Sequence, residues 1–322
     1  MPPSGAVLVT GGSGLVGAHA VCGLLEPGAR VVIFDVAVNE AQLRSLGVLD
    51  RATVVRGDVL DLPHLLETVE TYRVGTVVHL ASFLGQEVNH RPYAGIRLNL
   101  LGTVHVLEAA RLLRLRRVVF ASSSTVLFGA LRAGDDRPLT EEAPPSPPSI
   151  YATTKLAGEH FGANYAARHG FEFAALRFAA LFGPGQVVLK ADREQQIAAM
   201  IRGALRGEPV EVEWTAGVGE LLYMKDAARA VVLAALAERL PHRIYHIGNG
   251  ALHDGPDVAR AIEREIPGAK ITVTAGARLL GYPERIPPLD FSRAREELGY
   301  EPVYPLERAI PDYIAIARKL AW

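Results

Sequence analysis

The stretch from Ala6 to Asp35 restricts what this chain can fold into more than any other. A short apolar run, AVLVT, reads as a strand, and a glycine turn, GGSGLVG, follows it directly. Helical character runs from Leu15 to about Glu26, and a second apolar run, RVVIFD, ends on Asp35. In a unit of strand, glycine turn, helix and strand the three glycines have separate tasks. Gly11 makes the tight turn, Gly14 lets the backbone approach a pyrophosphate, and Gly17 lets the helix pack closely on the strand. The helix N-terminus then offers N–H groups and a positive dipole end to the phosphates. Asp35, at the end of the second strand, is placed to accept hydrogen bonds from adenosine ribose hydroxyls and to repel a 2′-phosphate. The expectation is a site for NAD.

Beyond Asp35 the alternation continues, with strand-like runs near residues 54, 78, 119 and 174 and helical stretches between them. Such alternation predicts an α/β fold with a doubly wound parallel sheet, helices on both faces. One helix, about Tyr93 to Leu113, is apolar nearly all round and needs cover on every side. Another, about Tyr151 to His169, offers Leu156, Phe161 and Tyr165 as a packing face. Burial within the chain or a helical homodimer seam would satisfy both. Near residue 180 the segments shorten and prolines accumulate. The division expected is a dinucleotide-binding domain over 1–180, with a returning segment near 221–248 that includes RIYHIG, and a smaller C-terminal substrate lobe over 181–322.

A net charge of −1 over 322 residues gives no basic field to recruit nucleic acid or an anionic membrane. The one basic run, Arg111 to Arg117, suits a solvated helix end. Cys22 is the single cysteine, so no internal disulfide forms and a buried structural thiol is expected. No apolar run reaches membrane-spanning length and the N-terminus lacks a leader pattern, so a cytoplasmic address is expected.

Reactivity centres on YATTK, where Tyr151 and Lys155 are four residues apart and share a helix face. Lowering a phenol pKa by ~3 units takes roughly 4 kcal/mol of phenolate stabilisation, which Lys155 and an oxidised nicotinamide can supply. The prolines of EEAPPSPPSI hold the preceding chain extended and deliver Tyr151 to a fixed place. FASSSTVLFG ends a strand where a parallel sheet puts its ligands, and Ser124 is placed to bind the oxygen that Tyr151 deprotonates. Ser122 and Ser123 read as strand-end hydrogen bonders. His79 reads as a structural histidine, and with no cluster at metal-ligand spacing catalysis is expected to be metal-free.

These residues resemble the extended short-chain dehydrogenase/reductases, the NAD-dependent sugar epimerase/dehydratase branch in particular, from Val7 to about Tyr300. Besides TGGSGLVG, Asp35, Ser124 and YATTK, the chain has GDVLD at Gly57, VVHLAS at Val77, NLLGTVHVLEAA at Asn99, LRFAALFGPGQ at Leu176 and LDFSRAREELGYEP at Leu289. The resemblance implies a Rossmann-type fold and adds Asp58, Val59, Leu80, Ala81 and Asn99 to the cofactor site. It makes Tyr151 general base and then acid, lets Ser124 orient the substrate, and gives Lys155 the nicotinamide ribose. The expected partner is a small sugar-like molecule, handled by a homodimer.

Three departures narrow the chemistry. Thr125 and Val126 stand where dehydratase members carry an acidic pair, so elimination lacks its acid and base; a glutamate of decarboxylating members is likewise absent at Val126. Ala180 replaces an asparagine, and Gly219 an arginine, that contact a nucleotide-sugar diphosphate. Two lost charge-assisted contacts amount to roughly 3 to 6 kcal/mol, so weak binding of common UDP-sugars is expected unless Arg177, Arg193, Arg278 or Arg285 compensates. The leading expectation is a nucleotide-sugar epimerase. An NAD-dependent dehydrogenase of a non-nucleotide hydroxy substrate is the alternative, and a dinucleotide-sensing regulator the third reading.

Overall fold

The structure, a computed structural model, describes residues 5–132, 134, 136–184, 193–276 and 283–319. The strands in chain order are β1 (Ala6–Thr10), β2 (Val31–Asp35), β3 (Thr53–Arg56), β4 (Val74–His79), β5 (Arg117–Ser123), β6 (Glu172–Phe178), β7 (Ala180–Phe182), β8 (Val210–Trp214), β9 (Gly219–Tyr223), β10 (Ile244–Ile247), β11 (Leu252–His253) and β12 (Ile271–Ala275). Seven of them form a parallel sheet in the order β3-β2-β1-β4-β5-β6-β10. The order reverses direction at β1 and β4, and a doubly wound sheet opens a crevice for ligands at the carboxyl ends beside such a point.

The first half contributes helices α1 (Leu15–Leu25), α2 (Glu40–Ser45), α3 (Leu62–Thr71), α4 (Gly85–His90), α5 (Pro92–Ile96), α6 (Gly102–Leu112) and α7 (Ile150–His169), followed by α8 (Arg193–Arg206) and α9 (Met224–Leu236). All of β1 is buried, and its side chains alternate between two cores. Val7 and Val9 join α1 and α9 on one face. Ala6 and Leu8 join residues of α3 and α6 on the other. The chain crosses into a second lobe after β6 and returns through α9, which packs on α1, and β10, which pairs with β6.

The outer lobe holds a three-stranded sheet, β11-β9-β7, and a parallel pair, β12 with β8. Helices α10 (Gly255–Glu265), α11 (Ser292–Leu298) and α12 (Leu306–Lys319) complete the chain. Its core gathers Phe182, Ile201, Trp214, Leu221, Ile262 and Tyr313. Among the described residues no helix is long and apolar enough to cross a membrane.

Local readings of the sequence needed correction in several places. The stretch expected as one helix from Tyr93 is broken by a wider π turn, Arg97–Leu101, between α5 and α6. The basic run does not end in solvent. Arg117 is fully buried, donating from one nitrogen to the carbonyls of Ala234, Ala235 and Ala237 at the end of α9 and from two others to Glu172. It satisfies the last carbonyls of a helix more than a hundred residues away, so its burial carries its own partners. On α7 Leu156 and Tyr165 are partly buried against apolar clusters as expected, whereas Phe161 is exposed and small residues make up most of the fully buried face. A Cβ on Gly158 would come within 2.6 Å of the Phe120 ring and one on Gly162 within 2.1 Å of Phe173, so two strand aromatics supply the bulk there. Cys22 is partly rather than fully buried, and burial holds its thiol above the usual range.

Candidate active site

A cavity of about 1190 Å³ runs along the carboxyl ends of β1, β2, β4 and β5. Its first part is the glycine turn. Gly11 has φ +67°, a left-handed conformation that favours glycine, and a Cβ there would lie 2.9 Å from the Ala81 nitrogen. A Cβ on Gly17 would come within 2.2 Å of the Gly11 carbonyl oxygen, so only glycine lets α1 begin this close to the turn. Gly11, Gly14 and Gly17 all line the cavity, as do Asp35, Asp58, Val59, Leu80 and Ala81. The Asp35 carboxylate accepts the Ser13 amide at 3.0 Å, the Ser13 hydroxyl at 2.7 Å and the Ala37 amide at 3.1 Å. Asp58 accepts the Leu60 amide at 2.9 Å. A wall that is backbone where a pyrophosphate would pass and acidic where ribose hydroxyls would sit fits a dinucleotide with an unmodified adenosine ribose.

The inner part is set by β5 and α7. Ser149 caps α7, accepting the Ala152 amide at 3.2 Å, and so places Tyr151 in the first helical turn on the cavity wall. Lys155 lies one turn on, its ammonium 5.7 Å from the Tyr151 ring centroid and 5.2 Å from that of Phe120. It donates to the Ala121 carbonyl at 2.9 Å and is almost fully buried, and burial brings its pKa down to about 7. A cation held with so little solvation stabilises a negative charge nearby more than an exposed one would. Ser124 lines the same wall at the end of β5.

The serines beside it behave differently. Ser122 donates to Glu159 at 2.5 Å, while Ser123 accepts from the Thr125 amide and hydroxyl. Thr125 lines the cavity, but Val126 is fully buried in a separate apolar cluster with Leu127, Phe128 and Ile286. His79 is buried between the hydroxyls of Thr10 and Thr103, and burial followed by the charge of Lys155 lowers its pKa to about 3. It is a neutral structural histidine.

Asn99 is the expected site residue that stays out of the cavity wall. Its side chain accepts from the Phe83 amide at 2.8 Å and donates to the Phe83 carbonyl at 3.0 Å, so it fixes the loop after β4 from behind. The π turn that interrupts the helix brings it there.

Two features escaped sequence reasoning. Glu159 and Arg177 form a buried bidentate pair at 2.9 and 2.7 Å beneath the inner end of the cavity. Glu159 follows Tyr151 and Lys155 on the same helix face, and that four-residue spacing was the available signal. Glu220 lines the outer part of the cavity while accepting the amides of Asn249, Gly250 and Leu289 at 2.9, 2.6 and 2.8 Å, and burial raises its pKa. Nothing local in the sequence marks it.

At the substrate end Ala180 lines the cavity beside Leu181, Thr215 and Ala216, and Gly219 begins β9 next to Glu220. Arg177 is committed to Glu159, and Arg285 pairs with Asp136 at 2.8 Å and does not line the cavity. Arg278 and the side chain of Arg193 lie outside the described residues.

A profile of the NAD dependent epimerase/dehydratase family matches residues 7–248. The UDP-glucose 4-epimerase of Halalkalibacterium halodurans is 28% identical, covering 93% of this chain and 91% of that protein. The dTDP-glucose 4,6-dehydratase of Xanthomonas campestris is 27% identical over 94% of this chain and 90% of that one. Among solved structures, the UDP-glucose 4-epimerase of Thermus thermophilus in complex with NAD superposes with a TM-score of 0.84 at 27% identity, covering 97% of this chain and 99% of that one.

Proposed function

Since the chain belongs to the NAD dependent epimerase/dehydratase family, we propose that it is an NAD-dependent epimerase that inverts a secondary carbinol of a nucleotide-linked sugar. The observation that carries this is the pairing of Tyr151 and Lys155 on one cavity wall with Ser124 at the end of β5. NAD, when bound, supplies the two-electron acceptor that takes hydrogen from the carbinol carbon and gives it back. Tyr151 accepts the proton of the substrate hydroxyl as the carbon–oxygen double bond forms, and returns it to the oxygen when the carbon is reduced on its other face. Lys155 stabilises the phenolate before it takes that proton and again once the proton is returned, and Ser124 orients the substrate oxygen. Gly11, Gly14, Gly17, Asp35, Asp58, Val59, Leu80 and Ala81 hold the dinucleotide, with Asn99 shaping the loop behind them.

Relatives matched over about nine-tenths of the chain are nucleotide-sugar epimerases and dehydratases by name, which supports this reading over a dehydrogenase of a non-nucleotide alcohol. A sensor that only binds the dinucleotide has no use for a general base. Between epimerase and dehydratase, Thr125 is tied to Ser123 and Val126 is sealed in an apolar cluster, so neither residue supplies the acid and base of elimination. Incubating the NAD-loaded protein with UDP-glucose, UDP-galactose and dTDP-glucose tests this. The expected product is the epimer, without net NADH. Stoichiometric NADH and a released ketone would establish a dehydrogenase instead, and loss of water a dehydratase.

We propose further that the enzyme is a cytoplasmic homodimer. Tyr93, Ile96, Leu101 and Phe161 stand exposed on α5, the π turn and α7, elements that pack against one another. A second copy offering the same helices would bury them in a four-helix seam. Light scattering of the wild-type protein at micromolar concentration should give a dimer, and the double variant Leu101→Glu/Phe161→Glu a monomer. A wild-type monomer would refute the seam.

A further inference from the structure

The contact between Ser13 and Asp35 joins the glycine turn to the end of β2. Ser13 is almost fully buried, and its amide and hydroxyl both point at the same carboxylate oxygen, at 3.0 and 2.7 Å. The hydroxyl also lies 3.3 Å from the Ala37 carbonyl, and the Ala37 amide donates to the other carboxylate oxygen at 3.1 Å. Ser13, Asp35 and Ala37 all line the cavity. The backbone amides hold each carboxylate oxygen by a single contact. The Ser13 hydroxyl adds a second, charge-assisted contact to one of them and so tightens the hold on the carboxylate.

We propose that Ser13 is a positioning residue that locks the Asp35 carboxylate and thereby sets the preference for a dinucleotide with a free adenosine 2′-hydroxyl. A fixed carboxylate presents its lone pairs at one place to the ribose hydroxyls, and it cannot swing aside to admit a 2′-phosphate. The inference rests on the dinucleotide reading of the cavity, not on the identity of the sugar.

The test is a double-mutant cycle read by calorimetry, with NADP affinity measured by displacement of NAD. Ser13→Ala is expected to weaken NAD binding about fivefold and to leave NADP within about twofold, so that discrimination narrows. In an Asp35→Ala background the same substitution should change NAD affinity by less than about twofold, because the group it acts through is gone. Equal losses for both dinucleotides, no loss for NAD, or the same fivefold loss without Asp35 would overturn the proposal in favour of a purely structural serine. Failure of the wild-type protein to bind either dinucleotide would overturn this inference together with the cofactor reading beneath it, whereas failure of the cycle alone leaves that reading standing.

Discussion

At the cofactor end of the cavity the polar groups already have partners: Asp35 is held by Ser13 and Ala37, Asp58 by Leu60, and Gly11 sits against the backbone of Ala81. At the substrate end the wall is Ala180, Leu181, Thr215, Ala216 and a carboxylate, Glu220, that is spent on three backbone amides. Among the described residues lining the cavity, Lys155 is the one cation, and it lies at the inner end beside Tyr151. The difference separates two kinds of recognition. A preorganised wall binds its ligand without further ordering, whereas a wall poor in donors and cations must draw affinity from elsewhere or do without it.

The largest effect expected of this arrangement falls where the two ends meet. Tyr151→Phe should lower kcat by about 10²- to 10⁴-fold while leaving NAD affinity nearly unchanged, as the proposed action of the phenol on the substrate requires. Lys155→Met should reduce both. Retention of more than about a tenth of wild-type kcat by Tyr151→Phe would remove Tyr151 from the chemistry.

Next in size is the contrast between the ends themselves. Because Ala180 and Gly219 offer no side-chain donor to a diphosphate, UDP and UDP-sugars should bind the NAD-loaded enzyme about a hundredfold or more weaker than a fully furnished site would. Low-micromolar dissociation constants by titration would break the comparison and assign the missing contacts to other groups. A smaller effect sharpens the cofactor side: NAD should bind at least about tenfold tighter than NADP, and comparable constants would contradict the role of Asp35.

A further expected effect concerns stability. Lys155 releases its proton at about 7 in the folded chain against an ordinary value of 10.5, so between those pH values the unfolded chain holds the extra proton. Stability of the cofactor-free protein should therefore rise with pH through that window, by at most about 1.4 kcal/mol per unit from this group. Below about 7 both states are charged and the full cost of burying the ammonium remains. Denaturant unfolding across the window should show this component in the wild type and not in Lys155→Met. Equal slopes would mean that the lysine is not desolvated as described.

What the sequence made legible was whatever is encoded locally. The glycine turn, Asp35, and the pair Tyr151 and Lys155 are each defined by residues a few positions apart, and the fold places them together because a parallel sheet gathers its carboxyl ends. Contacts that close over long separations stayed hidden. The partners of Arg117 lie at Ala234 to Ala237, and Glu220 meets Leu289 and Gly250. Charge alone put Arg117 in solvent because a sequence shows the cation and not the helix end it caps. Apolar character marks Phe161 for burial without saying whether the burying surface is in the same chain, and within this chain it is exposed. Asn99 was assigned to the right neighbourhood, but the π turn that sets its side chain on Phe83 has no local signature.

In the proposed reaction one site removes hydrogen from a sugar carbon and returns it to the same carbon, with Tyr151 handling only the hydroxyl proton. Epimerisation of the nucleotide sugar in deuterium oxide, followed by proton NMR of the product, tests this directly. The product should carry an inverted carbon that keeps its original hydrogen and acquires no deuterium. Incorporation of solvent deuterium at that carbon would contradict it, because the carbon-bound hydrogen would then have left as a proton.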